Sequence, residues 1–221
     1  MKRYAIIVAG GSGQRMKSSV PKQFMELLGR PVLMHTIEKF YRANASIEQI
    51  VVLPHSHQNA WATLCHKHQF NIPHQIAFGG DSRFESVKNG LEYCSEESLI
   101  AIHDGVRPLI SSDLITKIYL ETERKRAVIP VCPISESIRW VSDDSSKALD
   151  RSKYYSVQTP QCFSSKLIRA SYEQEESDAF TDDASVVEAS GEKVHLCEGE
   201  TTNIKLTRPE DLLLAEVLMT R

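Results

Sequence analysis

The chain has 221 residues, of which 41% are hydrophobic and 25% charged, and a formal net charge of −3. Its length suits one domain, 1–221, with an appendage at most, and its mild acidity argues against a general nucleic-acid or membrane surface. No stretch approaches the ~18 apolar residues of a membrane span, and the apolar start is too short for a secretion signal before Gly10-Gly11 interrupts it.

Ala5 to Ala9 is apolar on both faces, so it reads as a buried parallel strand. The glycine-rich turn Gly10-Gly-Ser-Gly13 follows, then Arg15, Lys17 and Lys22. Gly10, Gly11 and Gly13 leave backbone N–H groups uncovered, and such a loop can wrap a polyphosphate whose charge the cations oppose. This is the layout of a nucleoside triphosphate site. A Walker A loop is excluded, because no glycine here is followed by Lys and then Ser or Thr. The dinucleotide fingerprint also fails, since Gly11-x-Gly13-x-x ends on Met16.

Pro31 to Asn44 has helical spacing with Pro31 suited to a first turn, and Gln49 to Leu53 reads as the second strand. A helix over His57 to Gln69 and a short strand over Ile76 to Phe78 follow. The His-x-His pairs at His55 and His66 point their rings to different helix faces, so no zinc is assigned. Asp81 to Tyr93 is helical, capped by Asp81 or Ser82. The preceding Gly79-Gly80 exposes amides at a helix start, and this serves equally as a capped turn or as a ligand-reading edge.

Leu99 to His103 is a strand, with Asp104 and Arg107 at its carboxyl end, where ligands bind in open α/β sheets. Asp104 is placed to hold Mg²⁺ shared with substrate phosphates. Arg107 suits a phosphate, the alternative being that it pairs with an Asp104 that only caps the turn. A helix over Ser111 to Arg124 and a strand over Ala127 to Val131 continue the alternation, which favours an α/β fold with a mostly parallel sheet. The segment 133–158 breaks it. Alternating arms Ser137 to Val141 and Tyr154 to Gln158 around a polar turn read as a protruding β-hairpin, which a second subunit would support. Arg151 on this arm suits a substrate phosphate, and Thr159 is placed to donate a hydrogen bond. Helices follow at about 165–175, 181–190 and 208–219, the second with Thr181-Asp-Asp at its start. Lys205 falls on an expected strand before the last helix. The five cysteines are scattered without a Cys-x-x-Cys, which reads as reduced thiols in a cytoplasmic protein.

Ala9-Gly-Gly-Ser-Gly-Gln-Arg-Met16 with Pro21-Lys-Gln-Phe24 resembles the signature of nucleotidyltransferases that build sugar or polyol nucleotides. Gly-Gly-Asp-Ser-Arg83, His-Asp-Gly-Val-Arg-Pro108, Gln-Thr-Pro-Gln161, Thr-Asp-Asp-Ala-Ser185 and Asn-Ile-Lys-Leu-Thr-Arg-Pro-Glu-Asp211 extend the likeness over nearly the whole chain. Together they resemble the 2-C-methyl-D-erythritol 4-phosphate cytidylyltransferases, of the non-mevalonate isoprenoid route. That resemblance implies a three-layer, Rossmann-like α/β fold. It implies Mg²⁺-dependent transfer of CMP from CTP to a polyol phosphate, with pyrophosphate released. Arg15 and Lys22 would stabilise the pentavalent phosphorus. Ala9, Gly10, Gly11, Gly80, Asp81 and Ser86 would surround cytosine and ribose, with Gly13 in the same loop. Arg107, Ser137, Arg151, Thr159, Thr181 and Lys205 would contact the polyol phosphate, with Lys205 also counted among the catalytic cations. The hairpin 133–158 would be a homodimer arm. Thr202 stands where some relatives carry an acid, and Ser137 where many carry Thr. Two alternatives stay open: ribitol 5-phosphate as acceptor, and a non-catalytic nucleotide-binding protein on this fold.

Overall fold

The computed structural model describes residues 1–10 and 20–220. Strand β1 (Lys2–Val8) is followed by a short hairpin, β2 (Glu26–Leu27) and β3 (Arg30–Pro31), and by helix α1 (Val32–Ala43). Next come β4 (Glu48–Leu53), α2 (Gln58–Lys67), β5 (Gln75–Phe78), α3 (Arg83–Leu91), β6 (Ser98–Asp104) and α4 (Ser112–Lys125). The second half holds β7 (Ala127–Pro133), β8 (Arg139–Val141), β9 (Ser146–Ala148), β10 (Tyr155–Val157) and β11 (Gln161–Ser164). It closes with α5 (Ser165–Ser171), α6 (Asp183–Ala189), β12 (His195–Glu198) and α7 (Pro209–Met219).

The apolar runs at β1, β4 and β6 pair in parallel, with β1 between the other two and β5 beyond β4. Alternate residues of β1 then feed opposite cores. Ala5 and Ile7 join α1, α2 and α4 through Met34, Trp61 and Ile118. Tyr4 and Ile6 join α3, α5 and α6 through Val87, Ile168 and Val187. The expected three-layer α/β architecture is therefore present, with a sheet that becomes mixed in its second half. There β11 runs antiparallel to both β6 and β7, whereas β12 runs parallel to β7. Val131 pairs with both Val157 and Glu198, so β10 and β12 lie on opposite sides of β7.

Two sequence expectations change. The arm is a smaller hairpin than its alternation implied: β8 pairs with β9, while β10 returns to the main sheet against β7. Period-two patterning marks strands but not their partners, so the alternation of Tyr154 to Gln158 did not say that it would pair with β7. Lys205 is not on a strand. It lies in an extended segment before α7, tied by Leu206 N–H to the Val106 carbonyl at 2.9 Å. The short strands β2, β3, β11 and β12 carry no long alternating pattern and were not expected.

The capping expectations hold at α3, where Ser82 accepts from the Glu85 N–H, and α6 is capped by Asp182 in a reciprocal pair with Ser185. Helix α3 approaches the sheet closely because Gly90 has no side chain. A Cβ there would stand 2.8 Å from Ile6 Cγ2 and 3.2 Å from Val52 Cγ2, both on fully buried residues. Gly90→Ala should therefore destabilise the fold by about 1–3 kcal/mol despite alanine's higher helix propensity. A lower urea midpoint at unchanged slope is the expected result; a raised midpoint would show that α3 has room to shift.

Candidate functional site

The carboxyl ends of β1 and β6 face a cleft at the point where the chain, having run outward through β4 and β5, returns to the other side of β1. Its volume is about 370 Å³. Ala9 and Gly10 leave β1 at its rim, and Lys22, Gly80, Asp81, Ser86, Asp104 and Lys205 line it with Gln23 and Arg83. A second hollow of about 290 Å³ shares Arg83, Asp104 and Lys205 with the first and is lined further by Arg107, Thr159 and Thr181. The fold thus gathers expected residues from widely separated segments. Ser137 and Arg151 line neither hollow; both are exposed on the arm, where Arg151 Nη1 donates to the Ser135 carbonyl. Gly11, Gly13 and Arg15 lie outside the described residues.

Asp104 is the electrostatic centre. Its Oδ2 accepts from Arg107 Nε at 3.0 Å and pairs with Lys205 Nζ at 3.2 Å. Burial pushes its carboxyl upward, but Lys205, Arg107 and Arg83 outweigh that and hold it well below the usual carboxylate range. Among the described residues, no ion pair or hydrogen bond uses Oδ1. Arg107 spends Nη1 on the Asn203 carbonyl at 2.8 Å, which fixes the guanidinium against the carboxylate. Asn203 Nδ2 in turn donates to the Thr159 carbonyl at 2.9 Å. The Thr159 hydroxyl lies 3.0 Å from both the Asp104 N–H and His103 Nδ1. His103 is fully buried, and that burial lowers its pKa to about 4, so the ring is neutral at physiological pH.

At the opposite wall, the Gly80 N–H donates to Ser86 Oγ at 3.1 Å and the Asp81 N–H to Glu85 Oε2 at 2.7 Å. A Cβ at Gly80 would stand 2.3 Å from the Glu85 Cβ, so this turn requires glycine.

A protein-family model described as 2-C-methyl-D-erythritol 4-phosphate cytidylyltransferase matches residues 4–221. The chain belongs to this family. A cytidylyltransferase of that name from Phocaeicola vulgatus is 50% identical over 219 residues, covering 99% of this chain and 100% of the relative. The enzyme of the same name from Bacteroides fragilis is 48% identical over the same coverage. Among solved structures, the 4-diphosphocytidyl-2C-methyl-D-erythritol synthase from Anaerococcus prevotii superposes with a TM-score of 0.83 at 32% identity, covering 99% of this chain and 96% of that one. The cytidylyltransferase from Thermus thermophilus gives 0.82 at 30% identity, with both chains fully covered.

For a cytidylyltransferase cleft, three residues were missed by sequence reasoning. Gln23 donates to the Ala9 carbonyl at 2.8 Å and so braces the backbone just after β1. Asn203 joins Arg107 to Thr159, as described. Arg83 lines both hollows and forms a two-pronged pair with Asp183, Nη1 to Oδ1 at 2.9 Å and Nη2 to Oδ2 at 2.5 Å. Fully buried Asp183 also accepts from Tyr172 Oη at 2.7 Å. The available signal was an arginine closing Gly-Gly-Asp-Ser-Arg83 and a double aspartate in the Thr181 motif; their pairing across 100 residues was not.

Among the described residues, no group of three or more His, Cys, Asp and Glu gathers to form a cage for a metal ion. All five cysteines are free thiols, four of them buried.

Removing the Asp183 carboxylate would strand Arg83 and Tyr172. Asp183→Ala should cost toward the lower end of the ~3–5 kcal/mol typical of a broken buried pair, because Arg83 keeps partial contact with solvent. A thermal midpoint within a degree of wild type would show that the pair is not structural.

Proposed function

We propose that the chain transfers the CMP unit of CTP to 2-C-methyl-D-erythritol 4-phosphate, giving 4-diphosphocytidyl-2-C-methyl-D-erythritol and pyrophosphate. The observation that carries this reading is the gathering of Lys22, Lys205 and Arg83 around ionised Asp104 in one cleft of a chain matched along its length by this family. An oxygen of the polyol phosphate attacks the α-phosphorus of CTP. The new P–O bond forms as the bond to the β-phosphate bridging oxygen breaks, and pyrophosphate leaves with that electron pair. The attacking phosphate arrives ionised, so no general base is needed. The chain has to align the two phosphates and offset the charge growing on the equatorial oxygens.

Lys22, after the glycine-rich turn, and Lys205, ahead of α7, both line the cleft and supply that positive charge, and Arg15 is assigned the same task. Ala9, Gly10, Gly80, Asp81 and Ser86 form the wall assigned to the nucleoside. Mg²⁺ is the proposed cofactor, with Asp104 its protein ligand. A single carboxylate fits that ion, which is held through one or two carboxylates plus waters and substrate phosphates. When bound it would neutralise phosphate charge. Lys205 and Arg107 both meet Oδ2, so Oδ1 would be the oxygen offered to the ion.

The arm suits a homodimer. Trp140 and Val141 are 53% and 68% exposed, and Tyr155 and Val157 on β10 are also exposed. In a dimer, Ser137 and Arg151 would serve the neighbouring subunit's cleft, which accounts for their distance from this one. A reducing cytoplasm fits the free thiols, and no described helix is long and apolar enough to cross a membrane.

Pyrophosphate release with CTP and Mg²⁺ tests the assignment directly. We expect release with methylerythritol 4-phosphate and little with ribitol 5-phosphate; the reverse would move the acceptor to ribitol, and release with neither despite CTP binding would favour a binding protein. In the same assay Lys22→Ala should lower kcat roughly 10²–10³-fold with CTP affinity changed only a few-fold. Matching losses in both would make Lys22 a ground-state binder. Deleting 137–155 should give a monomer by sedimentation velocity with little turnover, and a fully active monomer would remove the arm from the site.

A further inference from the structure

We infer that His103 is a positioning residue that fixes Thr159 as a pure hydrogen-bond acceptor toward substrate, so that this end of the second hollow receives a hydroxyl of the polyol and turns away its phosphate. The inference rests on the substrate reading above, but its hydrogen-bond logic comes from heavy-atom distances and burial around the ring.

His103 Nε2 lies 3.2 Å from the Arg107 carbonyl oxygen. A carbonyl only accepts, so the imidazole proton is on Nε2. The ring is fully buried and packed against Phe40, where a charged imidazolium would be poorly solvated, and in the neutral ring Nδ1 is an acceptor and cannot donate. Nδ1 lies 3.0 Å from Thr159 Oγ1, so the hydroxyl proton of Thr159 points to it. The Asp104 N–H donates to the same oxygen at 3.0 Å. That N–H lies beyond the ladder between β6 and β11, which ends at the Ile102–Gln161 pair, and the hydroxyl replaces the missing strand carbonyl. The Phe40 ring, 5.1 Å from the imidazole centroid and steeply inclined to it, packs the ring in the core.

A hydroxyl has one proton and two lone pairs. The proton goes to His103 and one lone pair to Asp104, which leaves Thr159 one lone pair and no proton. A polyol hydroxyl can donate to that lone pair. An ionised phosphate oxygen cannot, because two acceptors would face each other with no proton between them. Arg107 and Lys205 line the same hollow and attract phosphate oxygens. Hydroxyl-bearing and charged parts of the substrate are thereby sorted between neighbouring groups. The expectation that Thr159 donates to substrate is replaced by the opposite polarity.

The test uses the intact protein in two measurements. Nitrogen-15 NMR of histidine-labelled protein should show the His103 ring protonated on Nε2 and unprotonated on Nδ1, its signals identified among those of the eight histidines by their loss in His103→Asn. The Nδ1–H tautomer would overturn the inference. In the pyrophosphate assay, His103→Leu frees the Thr159 proton, and the KM for the polyol phosphate should rise roughly tenfold or more, as for loss of one well-formed hydrogen bond, while the KM for CTP stays within about twofold. His103→Asn, whose Oδ1 stands near the Nδ1 position as an acceptor, should recover most of the loss. Equal rises in both KM values, or no recovery in His103→Asn, would reduce His103 to a packing residue. If His103→Leu does not fold, the tautomer still decides. A wild-type protein that binds CTP but turns over no polyol phosphate would overturn the substrate reading and the hydroxyl assignment with it, and NMR would then judge the relay separately.

Discussion

The site depends on one constraint, a carboxylate kept ionised at the buried carboxyl end of a central strand. Asp104 closes β6, which is buried along its whole length. A charge there costs several kcal/mol unless it is paired and hydrogen-bonded. Arg107 and Lys205 meet it directly, and each belongs to a different segment. Arg107 is held in turn by the Asn203 carbonyl. Satisfying one carboxylate therefore draws the 104–107 turn, the 203–206 segment and the 159 region into one place. These segments carry Arg107, Thr159 and Lys205, the residues proposed to meet the polyol phosphate.

The surrounding polar network makes that convergence rigid. The Gln158 side chain brackets the backbone of Glu200, donating to its carbonyl at 2.7 Å and accepting from its N–H at 3.1 Å. Glu200 in turn accepts from the Ser111 backbone and hydroxyl at the start of α4. On the other flank, Arg83 is anchored by Asp183 and Tyr172, so a cation at the cleft edge is held by a fully buried anion behind it. Networks of this kind are stabilising only when nearly every member is satisfied, and a satisfied one specifies a single geometry. The cleft is preorganised in this sense: its charges are held by the protein before any substrate arrives, which is the condition for electrostatic stabilisation of a transition state.

The arm follows a different logic. It has β8 and β9 as its own small sheet and presents Trp140 and Val141 to solvent. A hairpin of this size buries too little to be stable by itself. The return strand β10 anchors it to β7, and the chain then passes directly through Gln158 and Thr159 into the site. Whatever holds the arm is thus linked mechanically to the polar network.

The sequence by itself determined the α/β layers and several of the helix starts. The apolar run Ala5 to Ala9 reads as a buried strand and Ser82 as a helix cap because local chemistry carries those signals. What only the tertiary structure decided was pairing at a distance. That Arg107 would be held by both Asp104 and Asn203, which strand received residues 155–157, and that Arg83 would find Asp183 across the chain all depend on where separate segments meet. The same holds for the Thr159 proton: its direction is set by a histidine 56 residues away and by the carbonyl behind that histidine. Local patterning fixes which face of an element is buried, but the hydrogen-bond partner of a polar group belongs to the neighbour, and neighbours are chosen by the fold.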